Sequence, residues 1–146
     1  MNVSYDEVNE FVESLRTMEF SAVVGIYRGG LPLAVTLSHY FDVPLGIIKF
    51  QRLDGNDKVP TWLHKPDNIE NCLVIDDIVD SGITLEHICD FMEYPFVFGS
   101  LVSNHSHKHI MKAFGYPRSE LRGVVSGKYN PDKSDWVYFP WELKRS

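Results

Sequence analysis

Cysteine is scarce. Cys72 and Cys89 are the two present in 146 residues, and they form no CxxC pair. Each lies in an apolar segment, which reads as two buried thiols in a reducing compartment rather than a disulfide framework. Long apolar runs are also missing. None approaches the ~20 residues that cross a bilayer. The opening MNVSYDEVNE is acidic and polar, unlike a signal peptide, so a cytoplasmic location is the expectation. Positive charge is in deficit: 14 Lys and Arg against 20 Asp and Glu give a net charge of -6. Such a surface does not attract nucleic acid or anionic membrane non-specifically. There is no internal repeat or low-complexity tract, no GxSxG nucleophile elbow, and no lysine-bearing phosphate loop of the GxxxxGK[ST] kind. What is present is ordinary, 44% hydrophobic and 23% charged. That fits one domain spanning 1-146, large enough for a real core.

Periodicity organises the chain. Ser4 and Glu7 have capping-box spacing, and Val8, Phe11, Val12, Leu15 and Met18 form one face of a helix over Ser4–Met18. Ala22–Tyr27 is short, branched and apolar, as a strand buried on both faces would be. RGG follows, then a helix from Leu31 to about Tyr40 with Pro32 in its first turn. Leu45–Phe50 is a second strand. From Gln51 to Glu70 the pattern fails amid Gly55, Asn56, Pro60, Pro66 and Asn68, which predicts a long loop. Cys72–Asp76, Phe96–Val102 and Leu121–Val125 read as further strands, with a helix at Gly82–Met92. The tail SDWVYFPWELKRS is aromatic and interrupted by proline. Strands alternating with helices predict an α/β fold, a mostly parallel sheet covered on both faces. Ligands then sit beyond the carboxyl ends of the strands, where both RGG and DDIVDSG fall.

The stretch from Asn71 to Ile88, NCLVIDDIVDSGITLEHI, carries the chemistry. A helix start exposes unpaired N–H groups with partial positive charge, a phosphate site in outline. Asp80-Ser81-Gly82-Ile83-Thr84 lies at such a start: Ser81 and Thr84 add hydroxyls, and Gly82 permits a tight turn. A plain N-cap would use the same residues. Asp76 and Asp77 alternate across the strand and so point in different directions. Carboxylates there need donors or a cation. A vicinal diol supplies hydroxyls, and Mg2+ takes carboxylate, water and phosphate oxygens. A solvated strand end is the plainer alternative. In YRGG, Arg28 offers a charge-assisted fork, and Gly29 and Gly30 let backbone amides close on an anion. Two anion sites and a diol site describe a ribose with phosphate at one end and pyrophosphate at the other.

LVIDDIVDSGIT, Leu73–Thr84, resembles the phosphoribosyl-pyrophosphate motif of type I phosphoribosyltransferases, and YRGG resembles their pyrophosphate loop. DWVYFPWE, Asp135–Glu142, is similar to the nucleobase end of the xanthine-guanine branch. The resemblance implies a central mostly parallel sheet with a flexible loop and a small base-binding tail. It implies an enzyme that moves a 5-phosphoribosyl group from phosphoribosyl pyrophosphate to a nucleobase, a 6-oxopurine in that branch. Asp76 and Asp77 would meet the ribose hydroxyls, one of them directly or through water and Mg2+. Asp80, Ser81, Gly82, Ile83 and Thr84 would hold the 5'-phosphate. Arg28, Gly29 and Gly30 would hold pyrophosphate, with a cis or strained peptide near Arg28. Asp80 would also assist proton transfer at the base. Trp136 would stack on the base and the Val137 backbone would read its edge. The Gln51–Glu70 loop would close over the reaction, bringing Arg52 or Lys58 to the pyrophosphate. A homo-oligomer, dimer or tetramer, is implied as well.

One departure stands out. The purine branch carries a lysine after the fourth strand of this reading, donating to the 6-oxo group. Here Asn104 stands in its place, able to donate without charge; Lys108 and Lys128 are the candidates to replace the lysine in space. A regulator that binds the sugar phosphate without chemistry, and an enzyme for a pyrimidine or modified base, are the competing readings. His105, His107 and His109 are too close together to converge readily on a metal.

Overall fold

The computed structural model describes residues 1–52, 55, 57–105, 120–132 and 134–142. The elements are α1 (Tyr5–Ser14), β1 (Val23–Tyr27), α2 (Leu31–Phe41), β2 (Leu45–Arg52), β3 (Lys58–His64), β4 (Cys72–Val79), α3 (Ile83–Phe91), β5 (Phe96–Ser103) and β6 (Leu121–Tyr129). The strands form one sheet in the order β3-β2-β1-β4-β5-β6, parallel except for β3, which runs antiparallel to β2. This is the expected α/β fold with a mostly parallel sheet.

Strand parity divides the core. Val23, Leu73, Ile75, Val97 and Leu101 pack on the side of α1 and α2, with Phe11, Leu33 and Leu37. Val24, Cys72, Val74, Phe96 and Phe98 face the other way, onto Leu85, Ile88 and Met92 of α3 and its end. Burying each such side chain is worth about 1.5–3 kcal/mol over leaving it in water. All eight β5 residues are buried, as a central parallel strand requires.

Several boundaries move. The Ser4 capping box forms as expected, but α1 ends at Ser14 rather than Met18. There the bonding tightens to three-residue spacing, Leu15 N–H to the Val12 carbonyl and Arg16 N–H to the Glu13 carbonyl. The expected loop over Gln51–Glu70 is corrected. β2 continues to Arg52, and Lys58–His64 forms an edge strand. Pro60 is tolerated because an edge strand has one unpaired side. Residues 53, 54 and 56, within the expected flap, lie outside the described residues. The third strand expected from the sequence is longer than read, so Asp76 and Asp77 lie inside β4, not at its tip.

The chain runs from β1 to β2 on one side of the sheet and later to β4 on the other. β1 and β4 therefore flank the point where strand order reverses. That leaves a crevice at their carboxyl ends.

Candidate active site

Asp76 and Asp77 share one strand and meet different surroundings. Asp76 faces the side of α3, beside Asp80, Ser81, Gly82 and Thr84 in a cavity of about 70 Å³. Asp77 faces the other side, toward Arg28, Gly29 and the tail. Each carboxylate is partly satisfied by the chain itself: Asp77 N–H donates to Asp76 Oδ1 at 2.8 Å, and Ile78 N–H to Asp77 Oδ1 at 2.8 Å. Burial, and then the charge of Asp77, push the Asp76 carboxyl well above the ordinary carboxylate range.

The turn into α3 is left open. Gly82 is the N-cap in the left-handed region at φ 85°, and no side chain caps the helix. The cap that Ser81 or Thr84 would have supplied is not formed; Ile83 N–H reaches Ser81 Oγ only at 3.4 Å. First-turn amides, the Ser81 hydroxyl and half-buried Thr84 border the cavity beside Asp76. A tetrahedral anion suits such a corner. Ile83 exposes its side chain, so only its backbone can contribute.

The β1–α2 loop faces this corner across the crevice. The Tyr27–Arg28 peptide is cis. Arg28 is exposed and lines a cleft with Gly29, Pro32, Asp77, Trp141 and Glu142. A Cβ on Gly29 would overlap the Asp77 carboxylate, and one on Gly30 would strike the Ile75 carbonyl. Gly30 is buried, and its N–H donates to the Ile26 carbonyl at 2.9 Å. It serves close approach, which leaves Arg28 and Gly29 as the loop's candidate anion donors.

A third cleft, about 290 Å³, lies among Asp77, Ile78, Asp80, Asn104 and the tail segment Ser134–Val137 with Phe139 and Glu142. That is close to the size of small-molecule sites. Trp136 is 69% exposed and borders it, and Val137 is buried. Asn104 is buried and donates through Nδ2 to Asp80 Oδ1 at 2.8 Å. Asp80 thus borders both the Asp76 cavity and the tail cleft. Lys128, offered as a substitute for the missing lysine, is instead ion-paired with Glu7 on α1. Lys108, His107 and His109 lie outside the described residues; His105 is half-buried at the end of β5. Of the two cations named for the closing loop, Lys58 lines a cleft with Asp76 and Thr84, whereas Arg52 is exposed at the end of β2.

Sequence reasoning missed Asn130, Phe139 and Glu142. Asn130 is 2% exposed and joins Asn104 to the tail. In the sequence it precedes Pro131 and reads as a turn residue. β6 is largely exposed toward its carboxyl end, so no burial signal in the sequence marked the residue after it.

No group of three His, Cys, Asp or Glu side chains suited to a metal occurs among the described residues. With Asp76 and Asp77 on opposite faces, the donors cannot form a resident cage. They fit a hard cation that brings phosphate oxygens and water and takes one carboxylate.

Two glycine-bearing turns, at Arg28–Gly30 and Asp80–Thr84, thus flank the carboxylates of β4 where the strand order reverses. Comparison with known proteins gives the family. Residues 4–94 match the phosphoribosyl transferase domain, and the chain belongs to that family. The match runs through α3 and stops before β5. The orotate phosphoribosyltransferase of Sulfurisphaera tokodaii is 30% identical over 81 residues, 55% of this chain and 40% of that protein. The chain thus spans well under half the length of that relative. The xanthine-guanine phosphoribosyltransferase of Cereibacter sphaeroides is 28% identical over 130 residues, 84% of this chain and 69% of that protein. The crystal structure of a purine phosphoribosyltransferase from Pyrococcus horikoshii has the same fold, with a TM-score of 0.66 and 22% identity over 100% of this chain and 95% of that one. Relatives thus fall in more than one branch. No helix among the described residues is long and apolar enough to cross a membrane.

Proposed function

We propose that the chain transfers the 5-phosphoribosyl group of phosphoribosyl pyrophosphate to a ring nitrogen of a 6-oxopurine and releases pyrophosphate. The observation that carries this reading is the convergence of three clefts on Asp77 and Asp80 at the reversal of strand order. The corner from Asp80 to Thr84 holds the 5'-phosphate, Arg28 and Gly29 the pyrophosphate, and the tail cleft the base. The relative matched over most of the chain supports the 6-oxopurine.

In the reaction the bond from C1' to pyrophosphate breaks, and its electron pair leaves with the pyrophosphate. The ring nitrogen bonds to C1', and the base gives up a proton that the Asp80 carboxylate accepts. Arg28 and the Gly29 amide stabilise charge on the leaving group. Asp76 and Asp77 orient the ribose hydroxyls from opposite sides of β4, and one of them would hold Mg2+, directly or through water. Bound Mg2+ neutralises pyrophosphate charge as a Lewis acid. Trp136 offers its exposed ring to the base.

The reading carries with it one domain over 1-146, a homo-oligomer, and a cytoplasmic place in purine salvage; two buried cysteines outside any disulfide agree with a reducing compartment. The test is pyrophosphate release from phosphoribosyl pyrophosphate and Mg2+ with guanine, xanthine, hypoxanthine, adenine and orotate. Saturable release with a 6-oxopurine supports it, and release with orotate alone moves the substrate to a pyrimidine. Binding without release favours a regulator, the reading kept open by an uncharged Asn104 whose amide already serves Asp80.

A further inference from the structure

Asn104 and Asn130 each follow the carboxyl end of a strand, β5 and β6. Both are buried. Their backbones extend the sheet ladder by one rung: Asn104 N–H donates to the Val79 carbonyl and Asn130 N–H to the Ser103 carbonyl, each at 2.8 Å. Their side chains form a second ladder, and it has a direction. The main-chain carbonyl of Asp135 can only accept, and Asn130 turns Nδ2 to it at 3.3 Å. The same nitrogen donates to Asn104 Oδ1 at 3.1 Å. Asn104 then donates through Nδ2 to Asp80 Oδ1 at 2.8 Å. An ionised carboxylate is acceptor-only. Reversing the Asn104 amide would set oxygen against oxygen at Asp80 and nitrogen against nitrogen at Asn130.

We propose that Asn130 is a positioning residue: it fixes the polarity of Asn104 so that the tail cleft presents an N–H beside Asp80, and so favours bases with an oxo group at that edge over bases with an amino group. An ammonium offers donors whichever way it turns. An amide offers a donor from one end and an acceptor from the other, so a neutral residue here needs something to decide which end is shown. One Nδ2 hydrogen of Asn104 is spent on Asp80, and the second is the donor for the base. An oxo group accepts it. An amino group would put donor against donor, and sites that read hydrogen bonds discriminate strongly against such mismatches. The selection rests on the phosphoribosyltransferase reading; the lock on Asn104 does not.

Two measurements on the full chain separate them. Hydrogen exchange of the Asn104 side-chain amide, followed by NMR without ligand, reads the lock. Exchange is expected to be slow in the wild type and faster in N130L. The ratio of GMP to AMP affinity, measured by calorimetry with Mg2+, reads the selection. N130L is expected to lower that ratio about tenfold while leaving affinity for ribose 5-phosphate unchanged. In an N104L background the same substitution should no longer move the ratio. N130S, with one donor for two acceptors, should fall between wild type and N130L. An undiminished ratio in whichever of N130L and N130S folds overturns the proposal, as does an equal loss of GMP, AMP and ribose 5-phosphate. Slow Asn104 exchange in a wild type that binds neither GMP nor AMP would overturn the selection and the functional reading beneath it, and leave the lock.

Discussion

The two halves of the crevice are built differently. The sugar-phosphate half comes from one unbroken stretch, Asp76–Thr84, faced by the short Arg28–Gly30 loop. The base half is gathered from the end of β5 and, 26 residues further on, from the end of β6 and the tail that follows it, held by side-chain hydrogen bonds. A contiguous corner depends on local backbone geometry, whereas an assembled wall depends on which side chains happen to meet. The second kind can be rebuilt without disturbing the first. The family match covers the first half and stops before the second.

Asp80 is where the halves meet, so Asp80→Asn should strike both. Turnover is expected to fall about 10²–10⁴-fold with much of the sugar-phosphate binding kept. Lost binding with unchanged turnover would remove the base role. Gly29→Ala separates the halves: its Cβ would displace the Asp77 carboxylate. Affinity for phosphoribosyl pyrophosphate should drop at least tenfold while free base binding persists, and parallel losses would show the halves to be one unit. Trp136→Ala tests the other side. Base affinity should weaken by about 1–3 kcal/mol if the ring stacks. Because Trp136 is 69% exposed, the melting temperature should hardly move. A large drop in stability would make it a packing residue instead.

The smallest effect concerns Asp76. Its carboxyl is held above the ordinary range by burial and by Asp77. Below about pH 4 the unfolded and folded chains both keep this proton, and no cost arises. As pH rises, the unfolded chain releases it first, so the folded state loses stability until the folded group ionises too. Asp76→Asn should therefore raise the melting temperature by a few degrees at neutral pH, with the gain shrinking on acidification. Melting curves across pH decide; a gain that grows toward acid would reverse the assignment.

Legibility in the sequence follows the same division. The corner could be read because a strand of fixed parity, two acids and a glycine turn are local signals. Opposite-facing carboxylates follow from alternation alone. β3 escaped because Pro60 and its neighbours break the pattern that a two-sided strand would show, and an edge strand does not need that pattern. Asn130 escaped for another reason: a buried asparagine beside a proline looks like a turn until its partners on β5 and the tail are known. The expectation that Gly30 would grip an anion missed that its N–H is already spent on Ile26.

Counting alone sets Asp76 and Asp77 apart. A residue inserted between Ile75 and Asp76 and paired in register would give the acid now crowded beneath α3 the open side by Arg28, and move its neighbour the opposite way. Only a bulge that left the extra residue unpaired would keep both acids in place. Drift in chain length is therefore absorbed with least disturbance before Cys72 or beyond Phe91, outside the span that ties sheet to helix.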